Sequence, residues 1–335
     1  KIKLEKMHKR RNEKMNCRKD GISFCDISKF WLKDISTKVS ETTYALYFSN
    51  IENHILPYFQ NSIIADIDRE NIQNFINQKL KDGRLDKKGG LSITTVKGLY
   101  HNIKEILQYA KLSGYKVQEI GKIHFSQNQY KQFAILNKAQ QKCLEQVVKS
   151  DSNIQKIGII LCLYTGIRIG EVCALKWEDI QFENAVLHIY KTVYRTKDFS
   201  ENNRKTKLIV KEPKSKHSIR EIPLGSALLE YLKKYRQEDS CFILTGNSEK
   251  PLDPRTYQNQ FYSYLKKCNI KKMKFHILRH TFATRWIENN CDVKSLSEIL
   301  GHSNVTITMN TYVHSNFELK QQGMKKLEES QEFLS

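Results

Sequence analysis

Four short stretches of this chain combine chemically able side chains with the signals of helix ends. In Thr165-Gly166-Ile167-Arg168-Ile169-Gly170-Glu171 two glycines frame an arginine between the apolar runs IGIILCLY and EVCALKW. Glycines there permit a tight turn that aims one guanidinium out of a buried scaffold. In His276-Ile277-Leu278-Arg279-His280, positions i, i+3 and i+4 share one helix face, so His276, Arg279 and His280 converge while Ile277 and Leu278 pack inward. His302 follows Gly301, and Tyr312 stands ten residues later in TMNTYVH. Each has an ordinary reading by itself: Arg168 paired with Glu171, His280 as a hydrogen-bonded structural histidine, Tyr312 as one of 16 tyrosines. Lys214 and Lys216, in KEPKSKHSIREIPL, would alone be hairpin-loop charges.

Together, two arginines, two or three histidines, a lysine and a tyrosine form a set that cleaves phosphodiesters without a metal. Guanidinium forks match non-bridging phosphate oxygens and can hold the charge of a pentacoordinate transition state. A tyrosine hydroxyl, with an ordinary pKa of about 10, attacks well only beside a base and a cationic field. Histidine can supply the base, and a lysine on a mobile turn can protonate the departing 5′ oxygen. A phosphotyrosine diester stores the bond energy, so rejoining needs neither ATP nor a ligase cofactor. Consistently, there is no GxxxxGK loop, and HExxH fails because no glutamate follows His276.

The whole chain matches that chemistry. Its 335 residues allow two or three domains, and 56 Lys and Arg against 36 Asp and Glu give a net charge of +20, which draws polyanions. Nucleic acid is the expected partner. A membrane is not, since there is no apolar run of about 18 residues. The eight cysteines form no CxxC pair and lack ligand-spaced histidines, which argues against zinc and for a reducing compartment. No signal-peptide pattern follows Lys1, which points to a processed or truncated cytoplasmic chain.

Periodicity and turn signals divide the chain further. Residues 1–25 are a basic arm or linker. From Asp26 to about Tyr115, DISKFWLKDIS, SETTYALYFSNIENHILPYF, DRENIQNFINQKLKDG and SITTVKGLYHNIKEILQYAKLSG read as four helices of one small all-α domain. In the second, Tyr44, Tyr47, Ile51 and Ile55 recur at helical steps after the cap Ser40. The weakly periodic 116–135 reads as a linker, and Asn137 caps the start of a mixed, mainly α domain over 136–315. In its middle, AVLHIYKTVYR, KLIVKEP and SIREIPL predict a small antiparallel sheet. Asp292 and Gly301 bracket a later helix. Residues 316–335 read as an amphipathic tail helix that would carry Phe317, Leu319, Met324, Leu327 and Phe333 on its apolar face.

TGIRIGEVCALKWEDI resembles the first arginine box of the tyrosine recombinase (phage integrase) family, and HILRHTFATRWIENNCDVKSLSEILGHSNVTITMNTYVH resembles its second. The resemblance covers about residues 26–315. It implies a multidomain α and α+β fold, a core-binding helical domain followed by a catalytic domain. It also implies a phosphate clamp of Arg168 and Arg279, with His276 and His302 as proton-transfer and hydrogen-bonding groups. Lys214 is the implied general acid, with Lys216 as second choice, Tyr312 the nucleophile, and Glu171 a structural acid. No cofactor is implied. Ile277 stands where many members have Asp, a departure shared with integrases of Gram-positive conjugative transposons.

The function this implies is site-specific cleavage and rejoining of double-stranded DNA through a 3′-phosphotyrosine, for integration and excision of a mobile element. It further implies a C-shaped clamp on DNA, a tetramer with tail exchange, an excision or DNA-bending accessory protein, and a bacterial cytoplasmic, nucleoid-associated location. A topoisomerase-like strand-relaxing enzyme and a catalytically idle DNA-binding regulator are the alternatives.

Overall fold

The computed structural model describes residues 21–125, 134–199, 206–212 and 216–312, together with 321, 324, 325 and 327–329. Lys214 and most of the tail, including Phe317, Leu319 and Phe333, lie outside the described residues. The chain divides into two compact units, residues 1–131 and 132–335, within the stretch expected to be a linker.

The first unit is a helical bundle: α1 (Phe24–Ile35), α2 (Glu41–Asn50), α3 (Leu56–Phe59), α4 (Arg69–Asp82) and α5 (Ile93–Leu112). Side-chain caps start four of them, at Ser23, Ser40, Asp68 and Ser92, each satisfying an amide the first helical turn leaves open. The helix expected after Ser40 forms, but α2 reaches α3 through a π-helical segment, Ile51–Ile55. Pro57 explains it. Its ring clashes with the carbonyl four residues back, and the ladder widens just before it, Leu56 N–H donating to Ile51 O. The helices bury Phe24, Ile27, Ile51, Ile55, Phe59, Phe75, Leu99 and Ile103 in one core. Within it the Phe59 ring lies 5.4 Å from that of Phe24 and 5.3 Å from that of Phe75.

Residues 116–125 are not a free connector. Val117, Ile120, Ile123 and Phe125 pack on this core, Arg69 Nε donates to Lys122 O at 2.9 Å, and Gln73 bonds both the amide and the carbonyl of His124. The strap lacks a helical period because it is held by side chains of α4, not by its own backbone ladder.

The second unit begins at the Asn137 capping box of α6 (Lys138–Ser150) and is built round α7 (Lys156–Thr165), whose residues are almost all buried. After α8 (Ile169–Ala174) come β1 (Ile180–Gln181), β2 (Val186–Ile189), β3 (Thr192–Lys197), β4 (Thr206–Lys211) and β5 (Arg220–Pro223). Four helices follow: α9 (Ser226–Lys233), α10 (Pro254–Lys267), α11 (Ile277–Glu288) and α12 (Val293–Leu300), and then α13 (Val305–Tyr312). The strands form two antiparallel sheets where one was expected: β1-β2-β5, and a separate β3-β4 hairpin. Tyr190 and Lys191 interrupt the run AVLHIYKTVYR between β2 and β3, so β2 pairs with β5, placing Leu187 opposite Ile222, while β3 pairs with β4. α11 packs on α7, and β3 on α8. Gly170 allows the second contact, because a Cβ there would meet Val193 O at 2.8 Å. Among the described residues no helix is long and apolar enough to cross a membrane.

Candidate active site

Two chain reversals of the second unit bring the chemical residues together. α7 ends on Gly166, at φ 66° in the left-handed region that suits glycine, and its N–H closes on Cys162 O. A Cβ there would also strike the Phe282 ring at 2.5 Å. This turn delivers Arg168 to the start of α8. α12 ends the same way on Gly301, at φ 65°, and releases His302. α13, following at once, carries Tyr312 back against α11, which supplies Arg279 and His280, with His276 at its N-cap.

Arg279 lies deepest, 2 % exposed. Its Nη1 donates to Gly166 O at 3.0 Å, and its Nη2 donates to Leu300 O and to His302 Nε2, both at 2.8 Å. Burial, then the neighbouring Arg168, lowers its pKa to about 9, so it keeps its charge at neutral pH. Arg168 is more open. Its Nη2 donates to Gly301 O at 3.2 Å, next to the carbonyl Arg279 uses, and its Nη1 reaches Glu171 Oε1 at 2.7 Å.

Glu171 is buried and also takes the backbone N–H of Arg168 and both Nη atoms of Arg220. Burial alone would raise its pKa, but Arg220 and Arg168 hold it at about 2. Arg220, in β5, is a member that sequence reasoning passed over. Its signal was an arginine inside the apolar strand pattern SIREIPL, and its partner 49 residues away was not visible there. Glu171 pairs with two guanidiniums, and Arg279, bonded to carbonyls and a histidine, adds a third positive charge nearby, so the site keeps two positive charges in excess, which is a place for a phosphate group.

The histidines are neutral. Burial first, then nearby positive groups, lowers His276 and His302 to about 4 and His280 in the same direction. Because a guanidinium only donates, His302 Nε2 is an acceptor, and its proton sits on Nδ1, which donates to Thr308 Oγ1 at 2.8 Å. His276 lines an open groove of about 540 Å³ with Arg168, Gly170, Thr192 and Arg195, and its ring meets that of His280 edge-on at 4.6 Å. Tyr312 is half-buried, its hydroxyl 2.8 Å from His280 Nδ1. Burial raises its pKa, while Arg279 and Arg168 pull the other way.

Of the residues singled out in the sequence, Arg168, His276, Arg279, His302 and Tyr312 thus lie in one connected cluster, His276 and Tyr312 joined to it through His280. Lys214 lies outside the described residues, and Lys216 is described only by its backbone, in a 3-10 turn at Lys216–Ser218. Ile277 and Leu278 are buried as expected, but so is Arg279. Among the described residues no group of His, Cys, Asp or Glu is placed to hold a metal ion.

Two family models match the chain: "Phage integrase family" over residues 125–318 and "Phage integrase, N-terminal SAM-like domain" over residues 23–80. A tyrosine recombinase described as XerC-like, from Caldanaerobacter subterraneus subsp. tengcongensis, is 28 % identical, covering 88 % of this chain and 79 % of that one. The transposase of transposon Tn916 from Enterococcus faecalis is 26 % identical, the match covering 58 % of this chain and 51 % of that protein. In three dimensions the chain resembles the Tn1549 transposon integrase, solved in complex with transposon right-end DNA. The TM-score is 0.73 at 20 % identity, over 91 % of this chain and 99 % of that one. Fold and relatives together define a tyrosine-type site-specific recombinase, similar to the integrases of conjugative transposons. The chain belongs to the phage integrase family. The comparisons give no support to a strand-relaxing enzyme or to an idle regulator.

Proposed function

We propose that this recombinase cuts and rejoins double-stranded DNA through a 3′-phosphotyrosine on Tyr312, in the integration and excision of a mobile element. The observation that carries this reading is the Tyr312 hydroxyl held at His280 and within the field of the Arg279 and Arg168 guanidiniums, in a site whose arginines outnumber its one carboxylate. Arg168 and Arg279 clamp the scissile phosphate, and His302, fixed between Arg279 and Thr308, braces the clamp. His276, on the groove, hydrogen-bonds a phosphate oxygen. The Tyr312 oxygen attacks phosphorus as the bond to the 5′ oxygen breaks. Lys214 protonates that oxygen, and the 5′ hydroxyl of the recombining strand later reverses the step. The pocket is net positive and repels a divalent cation, so the chemistry runs on the side chains.

Residues 26–115 act as the core-binding domain and 136–315 as the catalytic domain. Four protomers joined through their tails act on two duplexes; among the structural relatives is a lambda integrase tetramer bound to a Holliday junction, with a TM-score of 0.62 at 17 % identity. An excision or DNA-bending accessory protein sets direction, and the protein works on the bacterial nucleoid.

A nicked suicide substrate tests the central step. The wild type should accumulate a covalent adduct that maps to the peptide containing Tyr312, and Tyr312→Phe should bind the same DNA yet trap none. An undiminished adduct in that variant overturns the reading. The general acid has its own test, because a 5′-bridging sulfur leaves without protonation. That substrate should rescue cleavage by Lys214→Ala but not by Arg168→Ala, whose defect is in charge stabilisation. If Lys216→Ala instead shows the large defect and the rescue, the assignment moves two residues along.

A further inference from the structure

A proton must leave the Tyr312 hydroxyl as its oxygen bonds to phosphorus, and the fold decides which group can take it. His302 cannot: Arg279 occupies its Nε2, and its Nδ1 already carries the proton it gives to Thr308. His276 touches His280 ring to ring but makes no hydrogen bond to Tyr312. Glu171 is committed to Arg168 and Arg220. The group at the phenol is His280, whose Nδ1 lies 2.8 Å from the hydroxyl across 32 residues of sequence, with the two rings 5.5 Å apart.

We propose that His280 is the catalytic base for Tyr312, accepting the phenolic proton on Nδ1 as the O–P bond forms and returning it when the 5′ hydroxyl displaces the tyrosine. The inference rests on Tyr312 being the nucleophile. The step balances: one O–P bond forms and one breaks, the phenolic proton moves to imidazole, and the 5′ oxygen takes its proton from the general acid. The surroundings favour this direction. Burial and Arg279 keep His280 neutral at rest, so its ring has a nitrogen free of a proton. The nearby guanidiniums of Arg279 and Arg168 favour the phenolate as it develops. The base stands on the same helix as Arg279, one residue on, so the phosphate clamp and the proton acceptor are aligned by a single rigid element. Proton transfer to a positioned side chain is worth about 10²–10⁴ in rate.

The test separates a base from a brace. Asparagine places an oxygen where histidine has Nδ1, so His280→Asn can still receive the Tyr312 hydroxyl bond but cannot take the proton. Its single-turnover adduct formation, and that of His280→Ala, should fall about 10²–10⁴-fold with DNA affinity and thermal midpoint retained. The wild-type rate should level off once the imidazole is neutral, whereas the His280→Asn rate should go on rising with hydroxide. Replacing Tyr312 by a fluorotyrosine, whose phenol is more acidic, should recover much of the rate in His280→Asn and little in the wild type. A His280→Asn protein with the wild-type rate and pH profile overturns the proposal, as does a defect that the acidic phenol fails to relieve. Neither result touches the nucleophile, which stands or falls on the adduct mapping to Tyr312.

Discussion

The two units solve opposite problems with their interiors. The helical unit buries isoleucine, leucine and aromatic rings, and its buried polar groups are few and neutral, Ser28 and Asn102 among them, the latter bonded to Asn50 at 2.8 Å. The second unit buries Glu171 and Arg279 as well as a larger apolar core. Sequestering a guanidinium costs several kcal/mol unless its donors are met, and Arg279 is met by two main-chain carbonyls and a histidine. Stability in the first unit therefore comes from area removed from water. In the second, part of it is tied up in holding charge where water is excluded, because there the charge acts more strongly on a phosphate.

The contrast can be broken from either side. The largest effect on stability is expected from Phe75→Ala, which removes a fully buried ring from the aromatic core of the helical unit. It should cost about 3–5 kcal/mol, with little dependence on pH, as measured by chemical denaturation at several pH values. Adduct formation at saturating DNA should survive wherever the protein remains folded. In the second unit Arg279→Ala should slow single-turnover cleavage by about 10²–10³, or roughly 2.7–4 kcal/mol of barrier, while the helical unit unfolds as before. Equal losses of cleavage from both variants would erase the distinction.

Glu171→Gln sharpens it. The folded-state pKa of Glu171 is depressed from 4.5 to about 2, so its contribution is fully present above about 4.5 and is lost as pH falls through about 2. At neutral pH the variant should be less stable by about 3 kcal/mol, and the difference should close across that acid window. A gap constant from pH 7 to pH 2 would mean that the ion pairs with Arg168 and Arg220 are not its source. The smallest effect is expected from His302→Gln. With His302 lowered from 6.5 to about 4, stability is full above about 6.5 and declines toward pH 4. Because His302 is only half-buried and solvent screens its charge, this variant should flatten that decline by less than the Glu171→Gln gap.

What lay within a few residues of itself was settled by the sequence. Ser40, Asn137, Asp292 and the two left-handed glycines set helix ends through local hydrogen bonds and φ angles, and the structure puts all of them in those places. The motifs around Arg168, Arg279, His302 and Tyr312 were legible because each is anchored to such an end. Only tertiary structure could decide the rest. The strap at 116–125 has no ladder of its own, the division of the strands into two sheets depends on which edge β5 meets, and Arg220 acquires meaning only against Glu171. The same holds for the bond between His280 and Tyr312. Hydrogen bonds between side chains tens of residues apart leave no periodicity in a sequence, since their geometry exists only once α11, α12 and α13 have packed.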